Sequence, residues 1–196
     1  MAIVEAAYRL GGTEQEWLAG LAASAAAALD QNLGVAAYAA ELVDGRVRLR
    51  NTAVFGGPTN LREAIADFST NADPALLFQA FRYDSVSTMS EASGGAEQLE
   101  GDGASNAFYD VGVRDGLGLL GIDGTPYVAT ISVFLPRPIS LSKRFKTRWR
   151  RVATHLASGF RVRRGSSARK PAANRRLPAP RQKRFSLHSG RLRIIR

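Results

Sequence analysis

Apolar residues recur at two spacings along this chain, and the spacing changes where the turn residues fall. After Thr13, the residues Trp17, Leu18, Leu21, Ala25, Ala28 and Leu29 repeat every three or four positions. That is one stripe of an α-helix of about 17 residues. At its head Thr13-Glu-Gln-Glu16 fits a capping box: the hydroxyl accepts from a first-turn N–H, and the Glu16 carboxylate reaches back to the cap N–H. Gly34 is the expected stop. Period two follows in Val35–Val43 and Val47–Phe55, divided by Asp44-Gly45. A tight hairpin turn needs positive φ at both central positions, which Asp-Gly accepts. In the second run Val47, Leu49 and Ala53 alternate with Arg48, Arg50 and Thr52, predicting one wet face. Gly56-Gly57-Pro58 breaks the run.

Residues 60–82 read as helical, with Asp73 as a cap and Pro74 at a first helical position, where its missing N–H costs nothing. A short strand is expected over 85–89, a glycine-rich surface loop over 91–105, and a helix over 106–114. A second hairpin follows, Leu117–Ile122 and Tyr127–Leu135 around Asp123-Gly124-Thr125-Pro126. Its last strand carries Tyr127, Ala129, Ile131, Val133 and Leu135 on one face and Thr130 and Ser132 on the other, the pattern of a central or penultimate strand. Pro136-Arg-Pro138 stops it, and Ser140 or Ser142 caps a final helix. There Leu141, Phe145, Trp149, Val152, Leu156 and Phe160 recur every three or four residues among basic neighbours, over a length of about 33 Å. The order predicts an α+β fold, an antiparallel sheet of about five strands covered by helices on at least one face. Hairpins in place of strand–helix–strand repeats argue against a parallel sheet.

Charge divides the chain differently from periodicity. The 196 residues hold 27 Lys and Arg against 17 Asp and Glu, a formal net charge of +10. All 17 acids lie before residue 143 with only 8 of the bases, so residues 1–142 carry −9. The other 19 bases, with no acid, fall in residues 143–196. Ten of those follow Gly165, where periodicity stops and apolar residues are too few to offset the entropy of ordering, so residues 165–196 read as a disordered basic tail. A basic surface suggests a polyanion. The candidates for non-specific nucleic-acid contact are Arg163, Arg164, Arg169, Lys170, Arg175, Arg176, Arg181, Lys183 and Arg184. Composition of this kind also arises when a GC-rich gene is read out of frame.

Several chemistries are excluded or disfavoured. Without cysteine there are no disulfides, thiolate metal sites or thiol nucleophiles. No run approaches the ~18–20 apolar residues of a membrane span, and the first residues lack the basic start of a signal peptide, so a cytoplasmic protein with no membrane partner is expected. Gly116-Leu-Gly118-Leu-Leu-Gly121 matches a dinucleotide-binding fingerprint, but that motif needs a strand before it and a helix after it. Here a strand and a turn follow, and the glycines read as loosening the entry to a hairpin. His155 sits beside stripe residue Leu156 and His188 in the tail; neither has a partner in sequence for acid–base work. No enzyme, no metal and no cofactor is expected. Large side chains near the ends of the middle elements, Phe78, Phe81, Tyr83, Met89, Phe108 and Tyr109, are either plain core or the lining of a small-molecule cavity.

One resemblance adds to this. Met1-Ala-Ile-Val-Glu-Ala-Ala-Tyr8, Glu16-Trp17-Leu18, Leu29-Asp-Gln-Asn-Leu-Gly34-Val-Ala-Ala-Tyr38, Asp115-Gly-Leu-Gly118, Asp123-Gly124 and Leu141-Ser142 with His155-Leu156-Ala and Gly159-Phe160-Arg161 together resemble the N-terminal part of certain bacterial LuxR-type transcriptional regulators. The resemblance spans residues 1–164 and implies a GAF/PAS-like sensory domain, normally followed by a helix-turn-helix reader. Residues 165–196 show no such pattern, so the sensor is expected without its DNA-binding domain. A small molecule or a regulatory protein is the implied partner, with the long helix as transmitter or homodimer surface. The alternative is a nucleic-acid-associated protein that binds phosphates through the basic C-terminal helix and tail.

Overall fold

The computed structural model describes residues 2–101 and 105–168. Its centre is a five-stranded antiparallel sheet: β1 (Val35–Val43), β2 (Arg46–Phe55), β3 (Val86–Thr88), β4 (Asp115–Ile122) and β5 (Tyr127–Leu135), in the order β2-β1-β5-β4-β3. β5 is therefore the central strand, one of the two places its apolar face allowed. Asp44 and Gly45 both take positive φ, 52° and 71°, so the first hairpin turns where the sequence placed it. The β1–β2 register shifts between Ala39 and Ala40, leaving Arg50 as an extra residue on β2. Such a bulge reverses the inward–outward alternation beyond it. Val47 and Leu49 consequently pack on one side of the sheet and Ala53 on the other, not on the common face that plain alternation predicts.

One face of the sheet carries three helices: α1 (Ala2–Ala7), α2 (Glu14–Leu29) and, at the C-terminal end, α8 (Lys143–Ala168). α2 opens with the expected capping box, Glu16 N–H donating to Thr13 Oγ1 and Thr13 N–H to the Glu16 carboxylate. It ends at Leu29 rather than Gly34, and Asp30 accepts from Gly34 N–H across the exit loop. α8 runs eight residues past the end of its apolar stripe and buries Trp149, Val152, Leu156 and Phe160. Trp17 of α2 stacks on Phe160 with ring centroids 5.5 Å apart, and its indole N–H donates to Ala7 O. Small residues set the spacing of these layers. A side chain at Gly159 would run into the backbone of Ala7, and one at Gly121 would stand 2.7 Å from Ala157 N.

The opposite face carries shorter helices: α3 (Leu61–Asn71), α4 (Pro74–Tyr83), α5 (Met89–Ala92), α6 (Ala96–Gly101) and α7 (Asn106–Asp110). Asp73 caps α4 by accepting from Ala75 N–H, with Pro74 at its start. The segment expected as a glycine-rich loop over 91–105 instead holds the end of α5 and all of α6. The glycines bracket the helical turns here: Gly94 and Gly95 take φ of 88° and 146° between them. A second capping box, Thr88 with Glu91, starts α5, a local signal hidden by the surrounding glycine and serine. Beyond Ala168 the basic tail lies outside the described residues.

Candidate functional site

The two faces of β4 explain the glycine motif. Leu117, Leu119 and Gly121 point toward α8, while Gly116, Gly118 and Leu120 point the other way. Gly121 admits the α8 backbone; Gly116 and Gly118 leave space on the far side. The motif thus lies inside a strand and thins it on both faces, which corrects its reading as a loosened hairpin entry. The space on the far side is a cavity of about 110 Å³. Its floor is Gly116, Gly118 and Leu120 of β4 with Thr130, Ser132 and Phe134 of β5 and Tyr38 of β1. Its roof and sides come from Ile65, Phe68 and Ser69 of α3, Leu77, Ala80 and Phe81 of α4, Met89 and Ala92 of α5, and Phe108 of α7. Half-buried Val47 and Leu49 stand at the β2 side.

Of the six cavity candidates read from the sequence, Phe81, Met89 and Phe108 line it. The others do not. Phe78 is half-buried on α4 outside the lining, Tyr83 is 54% exposed, and the Tyr109 ring packs under the Arg114 guanidinium at 4.7 Å. The lining face of α4 runs through Leu77 and Phe81, four positions apart; Tyr83, two positions beyond Phe81, turns away from it, and Phe78 lies beside that face rather than on it. The floor was the part missed. Its signal was present as two polar residues, Thr130 and Ser132, on the second face of a strand otherwise apolar, and as glycines inside the adjoining strand.

No charged side chain lines the cavity among the described residues. The Tyr38 and Ser132 hydroxyls are 2.9 Å apart, and burial pushes the Tyr38 phenol above its ordinary value, which keeps it a neutral hydroxyl. Thr130 Oγ1 is buried in the floor with no hydrogen-bond partner among the described residues. At the α5 end a directional chain holds the wall in place. Glu91 N–H donates to Thr88 Oγ1, the Thr88 hydroxyl to Ser90 Oγ, and the Ser90 hydroxyl to Asp115 at 2.6 Å. Asp115, 1% exposed, also accepts from the backbone N–H of Ser90 and Gly116.

Two ion pairs cross from α8 to these cavity elements around the short edge strand β3. Lys146 Nζ meets Glu91 at 2.9 Å, and Arg150 meets Asp84 through two hydrogen bonds of 2.6 and 3.1 Å. The bond from Arg150 holds the Asp84 carboxyl below its ordinary range, against the opposing effect of burial. A carboxylate depressed in the folded state adds stability above its unfolded value of about 3.9 and loses it as pH falls through the folded value. An Arg150→Ala chain is therefore expected to melt below the parent at pH 7, with the gap closing as pH is lowered from 5 toward 2. Melting curves across that range check it; a gap that stays constant with pH would disprove the pairing.

The basic candidates divide sharply. Arg163 is turned inward, donating to Arg9 O, Gly11 O and Gly12 O, with its guanidinium over Trp17. Arg164 lies 3.9 Å from the Tyr127 ring centroid and donates to Thr125 Oγ1. Both hold α8 against the body through these contacts. Arg169, Lys170, Arg175, Arg176, Arg181, Lys183, Arg184 and His188 lie outside the described residues. His155 is exposed, with Nδ1 3.1 Å from the Tyr8 hydroxyl. No helix among the described residues is long and apolar enough to cross a membrane.

No protein-family model matches the sequence, and no curated protein does. Solved structures do. The chain is similar to a domain of a protein described as a two-component sensor histidine kinase from Sinorhizobium meliloti, with a TM-score of 0.50 and 11% identity over 83% of this chain and 100% of that one. It is also similar to a bacteriophytochrome from the photosynthetic bacterium R. palustris, with a TM-score of 0.52 and 10% identity over 85% of this chain and 37% of that one. The phycoerythrobilin-bound GAF domain of a cyanobacterial phytochrome aligns at a TM-score of 0.40 and 10% identity, covering 85% of this chain and 92% of that one.

Proposed function

We propose that this chain, whose fold is GAF-like with a five-stranded antiparallel sheet, helices on both faces and a long terminal helix, is a cytoplasmic sensory module that binds a small molecule in the cavity and passes its occupancy to α8. It works by binding rather than by catalysis, in the regulatory setting that its resemblance to LuxR-type transcriptional regulators implies. One observation carries the reading. The cavity wall on one face of the sheet is joined to the long helix on the other by the Glu91–Lys146 and Asp84–Arg150 pairs. A ligand that shifts α5, or the end of α4, therefore pulls directly on the first three turns of α8. Allosteric coupling of this kind needs two arrangements whose balance both sites bias.

The test is a thermal-shift screen of small neutral and charged compounds against the full chain, followed by hydrogen exchange on α8 with each hit. Hits are expected to disappear in Gly118→Val, which fills the floor. They are also expected to alter exchange over residues 143–154, less so in Asp84→Asn. Hits that survive Gly118→Val, or bind without changing α8, would overturn the reading.

A further inference from the structure

The lining of the cavity also restricts the chemistry of its occupant, an inference that rests on the ligand-binding reading. Its apolar lining is mainly Phe68, Phe81, Phe108, Phe134, Leu120 and Met89, and among the described residues no lysine or arginine lines it. An anion entering here would lose its water and meet no cation, a strongly unfavourable exchange. Aromatic faces and a thioether instead favour a flat apolar body. Size is equally restrictive: an apolar cavity of about 150 Å³ holds benzene, so one of about 110 Å³ takes a ligand on the same scale or slightly smaller.

The polar groups are few and located. Tyr38 and Ser132 share a hydrogen bond of 2.9 Å, and Ser69, Ser87 and Thr88 also line the cavity. Thr130 Oγ1 is buried in the cavity floor and finds no partner among the described residues. Buried hydroxyls are nearly always bonded, and an exception calls for a missing partner. We infer that the cavity takes a small uncharged, mainly apolar molecule of about six or seven non-hydrogen atoms, bearing one hydroxyl or carbonyl oxygen that bonds to the Thr130 hydroxyl.

Calorimetric titration of the full chain with phenol, toluene and benzoate tests this. Phenol is expected to bind most tightly, and benzoate at least tenfold more weakly. Thr130→Val keeps the shape and removes the hydroxyl. It is expected to cost phenol about tenfold in affinity and toluene nothing, and retained toluene binding shows that the variant is folded. Gly118→Val is expected to abolish both. Benzoate matching phenol in the parent and lost in Gly118→Val would overturn the chemical class while leaving the cavity a binding site. Phenol and toluene binding alike, both indifferent to Thr130→Val, would overturn the role of the hydroxyl. Failure of all three probes on a chain that takes other, charged hits of the broader screen would overturn the class alone. Probes that persist in Gly118→Val would overturn the inference and the ligand-binding reading together.

Discussion

A Gly121→Val chain is expected to lose about 3 kcal/mol of stability, whereas Gly118→Val, three residues away on the same strand, is expected to change stability by less than about 1 kcal/mol. The difference comes from the face. At Gly121 a Cβ would stand 2.7 Å from Ala157 N and 3.0 Å from Leu156 C. Both are backbone atoms of α8, and α8 is fixed by Trp149, Val152, Leu156 and Phe160 in the core. A packed helix cannot move away locally, so the sheet and the helix must separate and many contacts weaken at once. At Gly118 the tightest neighbour is Leu120 Cδ1 at 3.0 Å, the end of a side chain with a cavity beside it. Neither glycine takes positive φ, so backbone strain does not contribute to the contrast. Urea denaturation of the two variants beside the parent measures it. Equal midpoints for Gly121→Val and the parent would disprove the close approach of β4 and α8.

Replacing Asp115 by alanine is expected to cost about 3–5 kcal/mol and to loosen the cavity wall. Three donors converge on this carboxylate, from Ser90 N, Ser90 Oγ and Gly116 N. Each, left buried and unmet, costs about 1–3 kcal/mol. Because Ser90 follows Met89, the loss releases the first turn of α5 and a residue that faces the cavity. Asp115→Asn keeps an acceptor oxygen but sets an amide N–H₂ against one of those donors, so an intermediate loss is expected. Chemical denaturation ranks the three chains, and hydrogen exchange over residues 88–92 reports the wall. An Asp115→Ala chain as stable as the parent would refute the anchoring role.

Part of this architecture was legible before any coordinates. Thr13 with Glu16, Asp44 with Gly45, and Asp73 with Pro74 act through atoms a few residues apart, and each forms where its chemistry requires. The stripe from Trp149 to Phe160 likewise identified the helix that fills one side of the core. Readings failed where a distant element decided. The bulge at Arg50 reverses a face because β1 fixes the pairing on both sides of it. That Arg163 donates to the backbone of Arg9, Gly11 and Gly12 was likewise illegible in the sequence, because those residues lie 151 to 154 positions away.

The cavity belongs to the second group. Phe81, Met89 and Phe108 could be named from their size, but the floor of Gly116, Gly118, Thr130 and Ser132 exists only because β4 and β5 lie side by side beneath helices from another part of the chain. The sequence by itself determined the hairpins, the helix caps, the α+β class and the division of charge at residue 143, since short-range hydrogen bonding and periodic burial govern those. Tertiary structure alone decided which glycines make room for a helix and which border a cavity. It also left the Thr130 hydroxyl without a partner among the described residues, because both outcomes depend on what the opposite face of a strand meets.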